Sequence, residues 1–306
     1  MSKEEPPASY ETDMPKRLPE QLKKGSCTGC PGMFEGILAH LANAAGFDAL
    51  YLAGSGASGS VLANTVRMAV AVSSVPIIAD ADTGFGGPLN VASVIALYES
   101  TGVAGCHIED QTFPKRSGQL SGKDIVDMET YLECIVAAVN ARNNLDFVII
   151  ARTDARNAAT FGGENADEEG FEMGVKRLKV VLKAGTDVTL IESPCTRRRC
   201  ERLVKALHPH PVMTNISPNG LTGNHMTGDC TEMGFKLAIF PYTGFILAAI
   251  AMKKSYQALK KKGTDLDNCS GWQIKDFFEL DRDVAEQTRS RVNPKKYESL
   301  SANRLF

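Results

Sequence analysis

Three carboxylates stand out by their spacing. Asp80 and Asp82 lie in the string Ala-Asp-Ala-Asp-Thr-Gly-Phe-Gly-Gly at 79–87, and Glu109 follows the apolar run 103–108. Two residues apart at a strand end, Asp80 and Asp82 can point to one side. Carboxylates gathered this closely repel unless a cation offsets them, and Mg²⁺ is commonly held by one or two carboxylates with waters retained. The trio therefore predicts a divalent-metal site for Mg²⁺ or Mn²⁺, with helix caps and loop salt bridges as the plainer reading of any single member. Arg152, directly after the apolar run 147–151, offers a guanidinium fork that fits a carboxylate or phosphate. Its plainer reading is a structural bridge to Glu109 or Glu192. The stretch Gly54-Ser-Gly-Ala-Ser-Gly presents backbone N–H groups to an anionic oxygen but lacks nucleotide-binding spacing, and a flexible connection fits it equally well.

These residues need elements that bring them together. Short β-rich runs at 47–52, 75–79, 103–108, 147–151, 188–191, 211–215 and 235–240 alternate with longer segments of helical period. That alternation builds a parallel sheet. The segment 26–33 is a weaker first strand, because Ser-Cys-Thr-Gly-Cys is poor strand material. Eight strand-helix units predict an α/β fold, a (β/α)8 barrel of the TIM type, whose chemistry sits at the C-terminal strand ends. Those ends carry Asp80, Asp82, Glu109, Asp110, Arg152, Asp154, Glu192 and Asn215. Residues 1–25, rich in Pro, Glu and Lys, read as an N-terminal arm that is flexible or docks elsewhere, and 26–306 as the barrel domain with a C-terminal helical extension. A Gly-rich acidic stretch within 155–176 is expected as an insertion on the same face.

The chain has 306 residues with 34 basic and 36 acidic side chains, a net charge of −2. No electrostatic footprint for nucleic acid or anionic membrane follows from that balance. The longest apolar stretch, 245–252, is far below the roughly 20 residues that span a bilayer. With no apolar signal segment at the start, a cytoplasmic location is expected. The eight cysteines read as free thiols, and Cys27, Cys30, Cys195 and Cys200 do not have paired zinc spacing. His107, inside a strand, reads as a core residue. Partners are therefore expected to be small molecules or like subunits.

Several strings together resemble the isocitrate lyase and phosphoenolpyruvate mutase superfamily. They are Gly46-Phe-Asp-Ala-Leu-Tyr-Leu-Ala-Gly-Ser-Gly, the Asp80/Asp82 string, His107-Ile-Glu-Asp-Gln, Lys115-Arg-Ser-Gly-Gln-Leu-Ser-Gly-Lys and Ile150-Ala-Arg-Thr-Asp-Ala. The likeness covers about 32–282 and is nearest the short lyases of 2-hydroxy and 2-oxo diacids, such as dimethylmalate lyase, methylisocitrate lyase and oxaloacetate acetylhydrolase. It implies Mg²⁺ on Asp80, with Asp82 and Glu109 reached through water. Tyr51 and the backbone of Ala53, Gly54 and Ser55 would meet the chelating end of a small carboxylate substrate, with Arg152, Glu192 and Asn215 around the rest. Residues 115–120 would form a gating loop, with Lys115 and Ser117 in catalytic positions. A late helix that packs on a neighbouring barrel would give a homo-oligomer, a tetramer, with 273–289 as the helical stretch concerned.

The chain also departs from that pattern. The lyase loop carries Cys-Gly-His, its Cys being the acid, where this chain has Ser117-Gly118-Gln119. A serine is a poorer proton donor, so turnover of methylisocitrate, dimethylmalate and oxaloacetate is expected to be negligible. The segment 60–75 lacks an expected Pro-Asp, the Tyr-Asp after the first strand is Phe34-Glu35, and Ile216 replaces the Ser of the oxaloacetate-hydrolysing branch. The expected activity is a Mg²⁺-dependent C–C lyase with an altered acid. A mutase-like isomerase, or a barrel that keeps metal and carboxylate binding without catalysis, is the alternative.

Overall fold

The computed structural model describes residues 13–54, 66, 69–70, 73–163, 168–269, 271 and 273. Eight strands, β1 (Thr28–Met33), β2 (Leu50–Leu52), β3 (Ile77–Asp80), β4 (Gly105–Glu109), β5 (Val148–Thr153), β6 (Val188–Ile191), β7 (Met213–Asn215) and β8 (Leu237–Phe240), pair in the order β6-β5-β4-β3-β2-β1-β8-β7. Every pairing is parallel, and a parallel bridge between Thr189 and Val212 joins the two outer strands. The result is the (β/α)8 barrel expected from the alternation. Strands β2 to β7 are buried at every position, as a sheet covered on both faces requires.

The helices are α1 (Met14–Leu22), α2 (Gly36–Ala44), α3 (Pro88–Thr101), α4 (Met128–Ala141), α5 (Glu168–Lys183), α6 (Arg197–Leu207), α7 (Thr227–Glu232) and α8 (Thr243–Lys262). Their ends follow local chemistry. Pro88 opens α3, and Gly102 closes it in the left-handed region at φ 82°. Asp127 caps α4 by accepting from the Thr130 N–H at 2.8 Å, and Thr196 caps α6 through the Arg199 N–H.

Two features near the start of the chain stand out. The weak first strand is real, and its composition has a packing cause: a Cβ at Gly32 would lie 2.2 Å from the Pro241 carbonyl oxygen. The space between β1 and the end of β8 admits only glycine there. The N-terminal arm, expected to be flexible, contains α1, which lies across the N-terminal ends of the strands. Leu18 and Met14 join the core, Gln21 accepts from the Thr28 hydroxyl, and Arg17 donates to the Ser74 carbonyl. Composition concealed this because a few apolar residues on one helical face suffice to dock it. After β5, short 3₁₀ turns at Ala155–Asn157 and Ala159–Phe161 lead to α5, so part of the expected acidic insertion is helix. Residues 273–289, apart from 273, lie outside the described residues.

Candidate active site at the barrel mouth

Register positions the first cluster. Asp80 pairs alongside His107, and Glu109 alongside Arg152, so neighbouring strands deliver these side chains to one rim. Asp80 is 6% exposed and accepts from the Gly54 N–H at 3.2 Å, the Tyr51 hydroxyl at 3.1 Å and the Asp82 N–H at 2.9 Å. Burial alone would raise its pKa, but His107, Lys115, Arg152 and the Asp82 N–H outweigh it and hold the carboxyl at about 2. Glu109 goes the other way: burial pushes it up to about 8 despite Arg152 and Lys115. His107 lies 2.7 Å from the Tyr51 hydroxyl and 3.3 Å from Asp80, and its burial lowers it to about 4, which leaves it neutral.

The donor set fits a hard cation. Asp80, His107 and Glu109 each offer an atom within 4.8 Å of the others, and both Glu109 oxygens are buried without a hydrogen bond. Asp82 sits at the edge of this group. Its backbone is left-handed at φ 49°, which turns its carboxylate to the Lys115 ammonium, and Lys115 also lies 3.5 Å from Glu109. Burial would lower the Lys115 pKa, but Asp80, Glu109 and Asp82 raise it above the usual lysine value.

Arg152 is the hub of the second cluster. It lies 3.1 Å from Glu109, 3.4 Å from Glu192 and 2.9 Å from Asp154, so its structural pairing and its place at the mouth are both real. Asp154 is also paired with the fully buried Lys123, whose ammonium donates to the Gly118 carbonyl at 2.6 Å. The 115–120 loop is thereby tied inward. A Cβ on Gly118 would fall 2.2 Å from an Arg152 nitrogen and 2.5 Å from Glu192. Gln119, at the position where the resemblance has His, donates to Glu192 and to Ser193 at 3.1 Å while accepting from the Leu221 N–H. Asn215 donates to Glu192 at 3.0 Å.

Ser117 reaches across the mouth to Tyr242, hydroxyl to hydroxyl at 3.3 Å. Of the residues singled out in the sequence, Tyr51, Ala53, Gly54, Asp80, Asp82, Glu109, Lys115, Ser117, Arg152, Glu192 and Asn215 all belong to this rim or its loop, and Ser55 lies outside the described residues. His107 is a site neighbour rather than only a core residue. Its short distances to Tyr51 and Asp80 had one sequence signal, its place two residues before Glu109. Gln119 and Lys123 lie within the loop string 115–123, whereas Tyr242 had no signal that sequence alone could use.

Comparisons with known proteins agree with this geometry. The chain is 35% identical over 265 residues to a 2-methylisocitrate lyase of Aeropyrum pernix, covering 82% of this chain and 81% of that one. It is 33% identical over 261 residues to a 2,3-dimethylmalate lyase of Eubacterium barkeri, with 81% and 86% covered. A solved oxaloacetate acetylhydrolase in complex with 3,3-difluorooxalacetate superposes with a TM-score of 0.81 at 31% identity, over 92% of this chain and 96% of that one. The phosphoenolpyruvate phosphomutase family model matches residues 20–260, nearly the whole barrel. On these grounds the chain belongs to the phosphoenolpyruvate phosphomutase family.

Proposed function

We propose that this chain is a Mg²⁺-dependent lyase that cleaves a C–C bond in a small 2-hydroxy or 2-oxo dicarboxylate. The observation that carries the reading is one rim where buried, unbonded carboxylate oxygens on Glu109 stand beside Asp80 and the buried guanidinium of Arg152. A cation site next to an anion site suits a chelating carboxylate. Oxygen donors favour Mg²⁺, with Mn²⁺ accepted.

Asp80 and Glu109 would hold the metal, with Asp82 at its edge. When bound, it supplies a Lewis acid for the substrate's 2-oxygen. Tyr51 and the backbone at Ala53 and Gly54 meet that end of the substrate, while Arg152, Glu192 and Asn215 orient the other carboxylate. The substrate's hydroxyl proton leaves to a carboxylate of this charged rim. The C–C electron pair moves to the carbon beside the second carboxylate, and that carbon is protonated from the Ser117 side. Lys115 and the rest of its loop close the mouth and exclude water.

A homotetramer is part of this reading. Helix α8 has no buried residue and exposes Leu247 at 67% and Ile250 at 48% on one side, a face suited to a second copy. Sedimentation should report a tetramer, and a clean monomer at micromolar concentration would contradict it. A cytoplasmic site of action is proposed too. Among the described residues no helix is long and apolar enough to cross a membrane. The lyase itself is tested by Mn²⁺ calorimetry together with a screen of 2-hydroxy diacids: metal binding with cleavage of one diacid is expected. Binding without turnover of any would favour a non-catalytic barrel.

A further inference from the structure

The lyase reading leaves one chemical gap. The carbon that receives the electron pair needs a proton, and a lone alkyl hydroxyl at Ser117 supplies it poorly. Ser117 is not alone. Its Oγ lies 3.3 Å from the phenolic oxygen of Tyr242, and the two residues come from opposite walls of the barrel. Ser117 rides on the loop after β4, whereas Tyr242 directly precedes α8 after β8, four strands round the ring. Both side chains are half-buried, which leaves a route to water. The next residue, Gly118, is packed on Arg152 and Glu192, so Ser117 is held at the rim where the anionic end of a ligand would lie.

Resting on the lyase reading above, we infer that Ser117 and Tyr242 form a two-hydroxyl proton relay that replaces the missing thiol. As the substrate's C–C bond breaks, the carbon bearing the electron pair forms a C–H bond with the Ser117 proton. The Ser117 O–H breaks as its oxygen takes the Tyr242 proton. The phenolate left behind recovers a proton from water, which balances the one lost from the substrate hydroxyl. Of the two groups, the phenol is the one worth drawing on, because a phenolic O–H is more acidic than an alkyl hydroxyl. Ser117 touches the reacting carbon. Tyr242 acts through it as a positioning residue that orients the hydroxyl and restores its proton.

The experiment uses the full chain with Mg²⁺ and a probe panel of 2-methylisocitrate and 2,3-dimethylmalate, each assayed for its 2-oxo acid product. Against the negligible turnover that a serine acting alone implies, the relay predicts that the wild-type protein cleaves at least one probe. Tyr242→Phe, which removes a single oxygen, should lower kcat by about 10²- to 10⁴-fold with KM little changed. Adding Ser117→Cys to Tyr242→Phe should restore kcat, since a thiol with a reference pKa of about 8.5 needs no partner. A residue that merely latched the loop would not be rescued this way, because the thiol cannot re-form a bond to phenylalanine. Wild-type kcat in Tyr242→Phe, failed rescue, or a silent wild type beside an active Ser117→Cys would each overturn the relay while leaving the lyase reading standing. Silence of both the wild type and Ser117→Cys, with Mn²⁺ still bound, would overturn the lyase reading and the relay with it.

Discussion

The two arcs of the barrel mouth are built from different chemistry. From β3 to β6 the rim is charged: Asp80, Glu109, Arg152, Asp154 and Glu192 are each no more than 6% exposed, and Glu109, Asp154 and Glu192 are knitted together through Arg152. From β7 to β8 it carries no charge, and Asn215, Ser217, Thr222 and Tyr242 offer amide and hydroxyl groups instead. Burying that many charges is costly unless each has a partner, so the charged arc is rigid by necessity. Neutral hydroxyls avoid the cost of burying a charge, and a half-buried one can regain a proton from water after giving one up. The contrast teaches a division of labour, in which one arc fixes charges in place and the other is free to move protons.

The largest break in that contrast should come from Arg152→Met, which leaves three buried carboxylates facing no guanidinium. Denaturant unfolding should show a loss of about 3–5 kcal/mol. The pH dependence adds a sign. Burial alone would raise the Asp154 pKa, but Arg152 and Lys123 hold it below the usual carboxylate range. Its stabilisation is therefore complete above about pH 4 and lost as the pH falls through its folded value. In Arg152→Met the folded pKa rises toward the unfolded one, so this acid-side loss should shrink, and an unchanged acid limb would contradict the pairing. Next in size, Asp80→Ala should weaken Mn²⁺ binding by more than ~100-fold in calorimetry while circular dichroism shows the fold kept. Unchanged affinity would move the cation away from the charged arc. The smallest effect belongs to the neutral arc: Asn215→Ala removes one hydrogen bond to Glu192 and should cost about 1.5–3 kcal/mol by the same unfolding assay. A cost equal to that of Arg152→Met would erase the distinction between the arcs.

The charged arc was largely legible in the sequence, and the neutral one was not. Asp80, Glu109, Arg152 and Glu192 close or follow apolar runs, and a parallel barrel sends all strand ends to one face, so one periodicity argument gathers them. Seven strands were visible for the same reason. β1 was visible only weakly, because Gly32 answers to the Pro241 backbone and not to strand propensity. His107 is the buried strand residue its position implied, and its nearness to the site shows only where its ring lies 2.7 Å from the Tyr51 hydroxyl. Tyr242 lies 125 residues from Ser117, and no local spacing reports a contact of that separation.

Gly118 carries a kinetic consequence. Its backbone stands so close to Arg152 and Glu192 that even a methyl group would collide with them. A carboxylate heading for the Arg152 guanidinium therefore meets the chain itself first, and its arrival waits on the departure of the loop. In stopped-flow mixing the observed rate should level off as oxalate concentration rises, at a plateau equal to the opening rate and nearly indifferent to ionic strength. Long-range attraction would then set how often an anion knocks, and the hinge would set how often it is let in.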